Sequence, residues 1–103
     1  MKLMTQKVTK SIPKLYSQEN NPDPMCVLKF FTPDAQWTWY ITEGEEQEDG
    51  DWLFFGKVVS PIVPEGELGY SSLNELKKVR GALGLPIERD MHWNPKPLSE
   101  CKY

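Results

Sequence analysis

Few residues in this sequence are of the types that do chemistry, and their spacing limits what that chemistry could be. His92 is the one histidine, and the two cysteines, Cys26 and Cys101, stand far apart in the chain. Zinc needs three or four convergent ligands, and neither cysteine has a partner at two- to four-residue spacing. There is no Gly-x-Ser-x-Gly elbow, and any nucleophilic triad would have to run through His92. Glu88 and Asp90 flank Arg89. On a strand those two carboxylates would share a face and could do acid–base work beside His92. The same three residues also suit solvated charges, with Arg89 paired to Glu43 or Glu67. Gly81-Ala-Leu-Gly84 lacks the strand and lysine context of a phosphate-binding loop. No catalytic residue, metal or cofactor is assigned, and a small hydrolase using Glu88, Asp90 and His92 stands as an alternative reading.

Two further groups could act by binding. Glu43–Asp51 holds six carboxylates in nine residues. Calcium takes six to eight oxygens, but Gly44 and Gln47 break the acid spacing of a calcium-binding hand. The run reads as a solvated acidic loop, and Glu45, Glu46, Glu48 and Asp49 as a contact for a basic partner. The second group is aromatic. Phe31, Tyr40 and Phe55 fall on the strand face opposite Trp37 and Trp39, with Lys29 and Lys57 among them. Exposed, that face could stack single-stranded nucleic acid, with Arg80 or Arg89 on phosphates. Exposed aromatics also anchor protein interfaces. Covered by a helix, the same rings would be core.

Three β-type runs must position these groups. They are Cys26-Val-Leu-Lys-Phe-Phe-Thr32, Trp37-Thr-Trp-Tyr-Ile-Thr-Glu43 and Trp52-Leu-Phe-Phe-Gly-Lys-Val-Val-Ser60. Alternation puts Cys26, Leu28 and Phe30 on one face, and Trp37, Trp39 and Ile41 together with the indoles inward. The third run is apolar on both faces except at Lys57, as a central strand would be. Pro33 and Asp34 suit positions i+1 and i+2 of a type I turn joining the first two runs. Glu67–Tyr70 predicts a short fourth strand. Ser72 and Glu75 form a capping box that starts a helix of about eight to ten residues. Leu73, Leu76, Val79 and Leu83 would be its apolar face, and Gly81, Gly84 and Pro86 would end it. A short strand is predicted over Ile87–Trp93, with Ile87, Arg89, Met91 and Trp93 on one side.

Length and composition bound the rest. A chain of 103 residues with 39% hydrophobic and 12% aromatic content fits one domain, 1–103. Residues 1–11 read as a loosely held polar segment, 43–51 as the acidic loop and 98–103 as a loose tail. The cysteines read as a buried thiol at Cys26 and a free thiol near the tail at Cys101, without a disulfide. No apolar run nears the roughly 18 residues of a membrane span, and no signal peptide is evident, so the expectation is a cytoplasmic protein without a membrane partner. A net charge of −3 argues against strong non-specific DNA binding. The expected fold is α+β: a small, meander-like antiparallel sheet of three to five strands with one short helix on one face.

An ordered set of motifs carries a resemblance: Ile12-Pro-Lys-Leu-Tyr16, Lys29-Phe-Phe-Thr-Pro-Asp34, Trp37-Thr-Trp-Tyr40, Leu53-Phe-Phe-Gly56, Glu67-Leu-Gly-Tyr70 and Gly84-Leu-Pro-Ile-Glu-Arg-Asp90. Over residues 12–98 the chain resembles a family of small uncharacterised proteins encoded on bacterial plasmids, phages and integrating elements. The resemblance implies an accessory protein of mobile DNA and brings no catalytic or binding residues with it. The functional expectation is therefore a non-enzymatic protein that binds a host or element protein in an anti-defence or regulatory role, with single-stranded nucleic-acid binding and the small hydrolase as alternatives.

Overall fold

The computed structural model describes residues 2–101. Its strands are β1 (Met25–Cys26), β2 (Leu28–Phe31), β3 (Thr38–Glu46), β4 (Trp52–Val59), β5 (Glu67–Ser72), β6 (Glu88–Arg89) and β7 (Lys96–Pro97). Two short helices, α1 (Gln6–Ser11) and α2 (Leu73–Leu76), and a 3-10 turn at Leu98–Glu100 complete the elements. The five-stranded sheet runs β5-β4-β3-β2-β6 with antiparallel pairing throughout, and β1 and β7 form a separate two-stranded ribbon. The fold is mixed α and β and more sheet-dominated than expected: two short helices, instead of one, accompany a five-stranded sheet and a two-stranded ribbon. Among the described residues no helix is long and apolar enough to cross a membrane.

The first hairpin forms as its turn chemistry dictates. Ala35 N–H donates to the Thr32 carbonyl at 3.5 Å, which places Pro33 and Asp34 at the turn's centre. Thr32 also closes the loop from inside, accepting Trp37 N–H on its hydroxyl at 3.1 Å. β4 lies inside the sheet between β3 and β5, while β3 holds the central place.

Each face of the sheet carries its own core. On the first face Leu28, Phe30, Trp39, Ile41 and Phe54 pack against Leu73 and Leu76 of α2, Ile87, and Leu3 and Ile12 from the N-terminal segment. On the second face Tyr40 and Val59 pack with Cys26, Leu98 and Cys101, and Trp93 leans on them. The helix therefore covers the Trp39 face, and the opposite face is covered by the C-terminal segment instead. Cys26 leaves the face of Leu28 and Phe30 because the strand breaks at Val27, whose N–H turns to the Ile41 carbonyl. Cys101 is buried as well as Cys26, so its free thiol does not sit on a loose tail. Trp39 points inward as expected, whereas Trp37 precedes the strand and lies half exposed, stacked on Trp39 at 6.0 Å.

Two elements are shorter than their sequence patterns predict. The Ser72 hydroxyl caps α2 by accepting Glu75 N–H, as the capping box requires, but the helix ends at Leu76. Short helices are marginal, and here the next segment finds better partners. Arg80 donates to the carbonyls of Lys77 and Val79, and the Asp34 carboxylate accepts the N–H groups of Leu83 and Leu85. Leu83 consequently projects outward, 80% exposed. The strand expected over Ile87–Trp93 is limited to Glu88–Arg89, since Asp90 makes a turn by accepting His92 N–H on its side chain at 2.9 Å. Ile87 is buried and Met91 exposed, so that four-residue face does not exist. The N-terminal segment, read as polar and loosely held, contains α1, capped by Thr5, and buries Leu3. Met1, Lys102 and Tyr103, at the two expected loose ends, lie outside the described residues.

Candidate functional site

Glycine in the middle of an apolar strand weakens it unless another group needs the space. Gly56 stands opposite Ile41, and a Cβ placed there would lie 2.0 Å from the Tyr40 carbonyl oxygen. The backbone crowds in because β3 carries a bulge. Ile41 pairs with Gly56 and Glu43 with Phe55, so Thr42 is the extra residue. Thr42 steadies the bulge by donating its hydroxyl to the Phe55 carbonyl at 3.2 Å.

The bulge changes where Glu43 points. Strict alternation would set Glu43 beside Ile41 on the Trp39 face. With one residue inserted it falls on the second face, opposite Phe55. β3 then continues to Glu46, which shortens the expected acidic loop to a tight turn closed by Gln47 N–H on the Asp51 carbonyl at 2.7 Å. Glu45, Glu46, Glu48 and Asp49 are exposed at this hairpin end, while Glu43 is 5% exposed.

A buried carboxylate needs donors. Glu43 takes Tyr16 N–H on Oε1 and Gln18 N–H on Oε2, each at 2.8 Å. Tyr16 adopts a left-handed conformation, φ 70°, which a non-glycine residue adopts only when its surroundings enforce it. Gln18 fastens the same loop, donating to the Thr42 carbonyl at 2.7 Å and accepting Met25 N–H at 2.8 Å. Asp23 ties its far end to the C-terminal segment through the Ser99 hydroxyl at 2.6 Å and the Ser99 N–H at 2.9 Å. These bonds to Ser99 hold the Asp23 carboxyl below its ordinary pKa.

The loop stands away from the sheet and leaves a cleft of about 620 Å³. Cross-strand neighbours Phe55 with Tyr70 and Lys57 with Leu68 make its floor. Tyr16 through Pro24 makes one wall, and Leu98 and Ser99 close the end. Phe55 and Tyr70 meet edge to face at 5.0 Å. The Tyr70 and Tyr16 hydroxyls meet at 3.4 Å, and this bond, with the Glu43 and Glu19 carboxylates nearby, raises the Tyr70 phenol above its usual pKa. Lys57 donates to the Leu98 carbonyl at 3.5 Å. Among the described residues of the lining, the carboxylates of Glu19, Asp23 and Glu43 outnumber that cation.

This chain belongs to the DUF2958 family. The family is described as protein of unknown function, and its model matches residues 3–101. No curated protein and no solved structure matches the chain.

In this DUF2958 chain the residues singled out from the sequence fall in several places. Phe31, Tyr40, Phe55, Lys29 and Lys57 do share the second face, but they do not form one surface. Tyr40 is 3% exposed beneath Trp93, 5.8 Å between ring centres. Tyr40 separates Phe55 and Lys57, in the cleft, from Phe31 and Lys29, in a shallow depression of about 370 Å³. Lys29 lies 5.6 Å from the Trp93 ring and 4.0 Å from the Asp90 carboxylate. Arg89 faces the first core and donates to the Lys2 and Leu3 carbonyls. Glu88, Asp90 and His92 line the depression together, with the Asp90 side chain holding the turn. Among the described residues no group of three His, Cys, Asp or Glu could hold a metal ion.

Sequence reasoning misses Tyr16, Gln18, Leu68 and Tyr70 as cleft residues. The available signal is Gly56. A lone glycine inside an apolar run marks a bulge or a close backbone approach, and a bulge there flips every residue after it.

Proposed function

We propose that this protein acts by binding, as a cytoplasmic accessory protein of a mobile genetic element that docks on a host or element protein. The observation that carries this reading is the cleft. It joins exposed rings and an aliphatic floor to carboxylates, and β3 runs on from Glu43 to the exposed acidic end of the β3–β4 hairpin. Aromatic anchors supply contact area, and a surrounding acidic surface selects a basic partner and speeds encounter. A partner segment bearing lysine or arginine with its aliphatic stem fits both features.

Protein is favoured over single-stranded nucleic acid because Tyr40, the middle ring of the supposed platform, is buried, and because the described residues of the cleft carry more acid than base. Phosphates would be repelled where bases would stack. A hydrolase reading draws on Glu88, Asp90 and His92, but the Asp90 carboxylate already serves the turn and faces Lys29.

The test is a tagged pull-down from host lysate with and without nuclease, followed by binding measurements on the captured protein. Tyr70→Ala should weaken binding, and neutralising Glu45, Glu46, Glu48 and Asp49 together should weaken it and flatten its salt dependence. A catch lost on nuclease treatment would transfer the reading to nucleic acid, and affinity unchanged by Tyr70→Ala would remove the cleft from the interface.

A further inference from the structure

The two edges of the sheet are treated differently. At one edge β6 is two residues long and both are charged, Glu88 and Arg89, which is how natural sheets discourage further pairing. At the other edge β5 is six residues long, Glu67–Ser72, and its middle carries no charge and no proline. Leu68 is 60% exposed and Tyr70 51% exposed on that strand. A strand of this kind is a template for another strand.

Gly69 adds a separate observation. Its φ is not in the left-handed region, and among the described residues nothing stands within 4 Å of where its Cβ would be. The fold therefore gives no steric reason for glycine here. Glycine in a strand also marks a site where another backbone comes close.

We propose that β5 pairs antiparallel with β5 of a second copy, on a twofold axis passing at Gly69, so that two five-stranded sheets join into one. A twofold perpendicular to the sheet keeps each face continuous and pairs residues of the same facing. With the axis at Gly69, Leu68 lies opposite Tyr70 of the other copy, twice over, and Glu67 lies opposite Ser71. Leucine against tyrosine is a favourable cross-strand pair, and the serine hydroxyl can donate to the carboxylate. The charges also suit a second copy. The two Glu67 side chains sit at opposite ends of the paired strands, four residues apart. At about 3.4 Å per residue that is about 14 Å, beyond a screening length of about 8 Å. This inference rests on the edge of β5, whose Leu68 and Tyr70 side chains also floor the cleft.

The test is sedimentation equilibrium on the full chain from about 10 μM to about 1 mM, the range where a small interface associates. Gly69→Lys puts two like charges face to face at the axis, on the face away from the cleft, and has open space to occupy. Leu68→Lys charges the other face. Ile62→Lys, at an 80% exposed position outside the strand, is the control. Circular dichroism and thermal melts establish that each variant folds. The expected result is a wild-type dimer whose dissociation constant rises tenfold or more in Gly69→Lys and Leu68→Lys and is unchanged in Ile62→Lys. A chain that stays monomeric across the range, or a dimer indifferent to both strand variants, would overturn the proposal.

Discussion

Replacing Glu43 by alanine tests the central structural argument, that one buried carboxylate holds the cleft wall on the sheet. The side chain is 5% exposed and accepts Tyr16 N–H and Gln18 N–H, each at 2.8 Å. A hydrogen bond to a charged group contributes roughly 1.5–3 kcal/mol, so two would give about 3–6 kcal/mol if both donors stayed dry. They do not. Both bonds are only partly buried, and the freed loop can turn these N–H groups to water. The expected loss for Glu43→Ala is therefore about 2–4 kcal/mol. In a domain of this size that lowers the melting temperature by at least about 8 °C. Glu43→Gln keeps one acceptor but turns an amide N–H₂ toward the other donor, so its loss should lie near half that of alanine. Urea titration monitored by tryptophan fluorescence gives the free energies. Amide hydrogen exchange gives the location: Tyr16 and Gln18 should lose protection, while the β2–β3 hairpin keeps its own. A Glu43→Ala change within about 0.5 kcal/mol of wild type, the range of an ordinary surface substitution, with Tyr16 and Gln18 still protected, would refute the clamp.

Other expectations follow from the same structure. Gly56→Ala sets a Cβ 2.0 Å from a backbone oxygen that cannot rotate away, so it should cost about 3 kcal/mol or more by denaturant titration. Because the register at Gly56 aims the Glu43 side chain, Gly56→Ala and Glu43→Ala should combine to less than their sum. Burial raises the pKa of both Cys26 and Cys101, so native protein should resist a thiol reagent that labels both after unfolding. The sign for stability is that both thiols contribute fully below their ordinary pKa of 9.0, and the contribution is lost as pH rises above it. Asp23 has the opposite sign. Its carboxyl is lowered from 3.8, so its contribution holds above that pH and is lost as pH falls below it. Asp23→Asn should flatten the acid limb of a stability profile measured by denaturant titration.

What could be read in the sequence is what neighbours in the chain decide. Pro33-Asp34 set the first turn, Ser72 and Glu75 start α2, and alternation puts Leu28 with Phe30 and Trp39 with Ile41. These outcomes depend on residues a few places apart. The helix predicted to reach Leu83 fails because Asp34, 49 residues from Leu83, offers its carboxylate to the backbone there. No local pattern contains that competitor. The face of Tyr40, Phe31 and Phe55 was legible as a set, but its cover was not, since Trp93, Leu98 and Cys101 arrive through the β1–β7 ribbon.

The cleft lies between these cases, and the cause is a single residue. Gly56 permits the bulge, the bulge turns Glu43 to the second face, and Glu43 holds Tyr16 in a conformation that tyrosine alone would not choose. Each step is ordinary physical chemistry once the previous one is known. The first step, a lone glycine in an apolar run, is visible in the sequence, and it predicts a bulge without saying on which strand. A strand kept strictly regular there would leave Glu43 against Trp39 and Ile41, an unpaired carboxylate in an apolar core, which is the more expensive arrangement by several kcal/mol. The identity of residue 43 is therefore itself an argument for the bulge, and the cleft follows from reading Gly56 and Glu43 together.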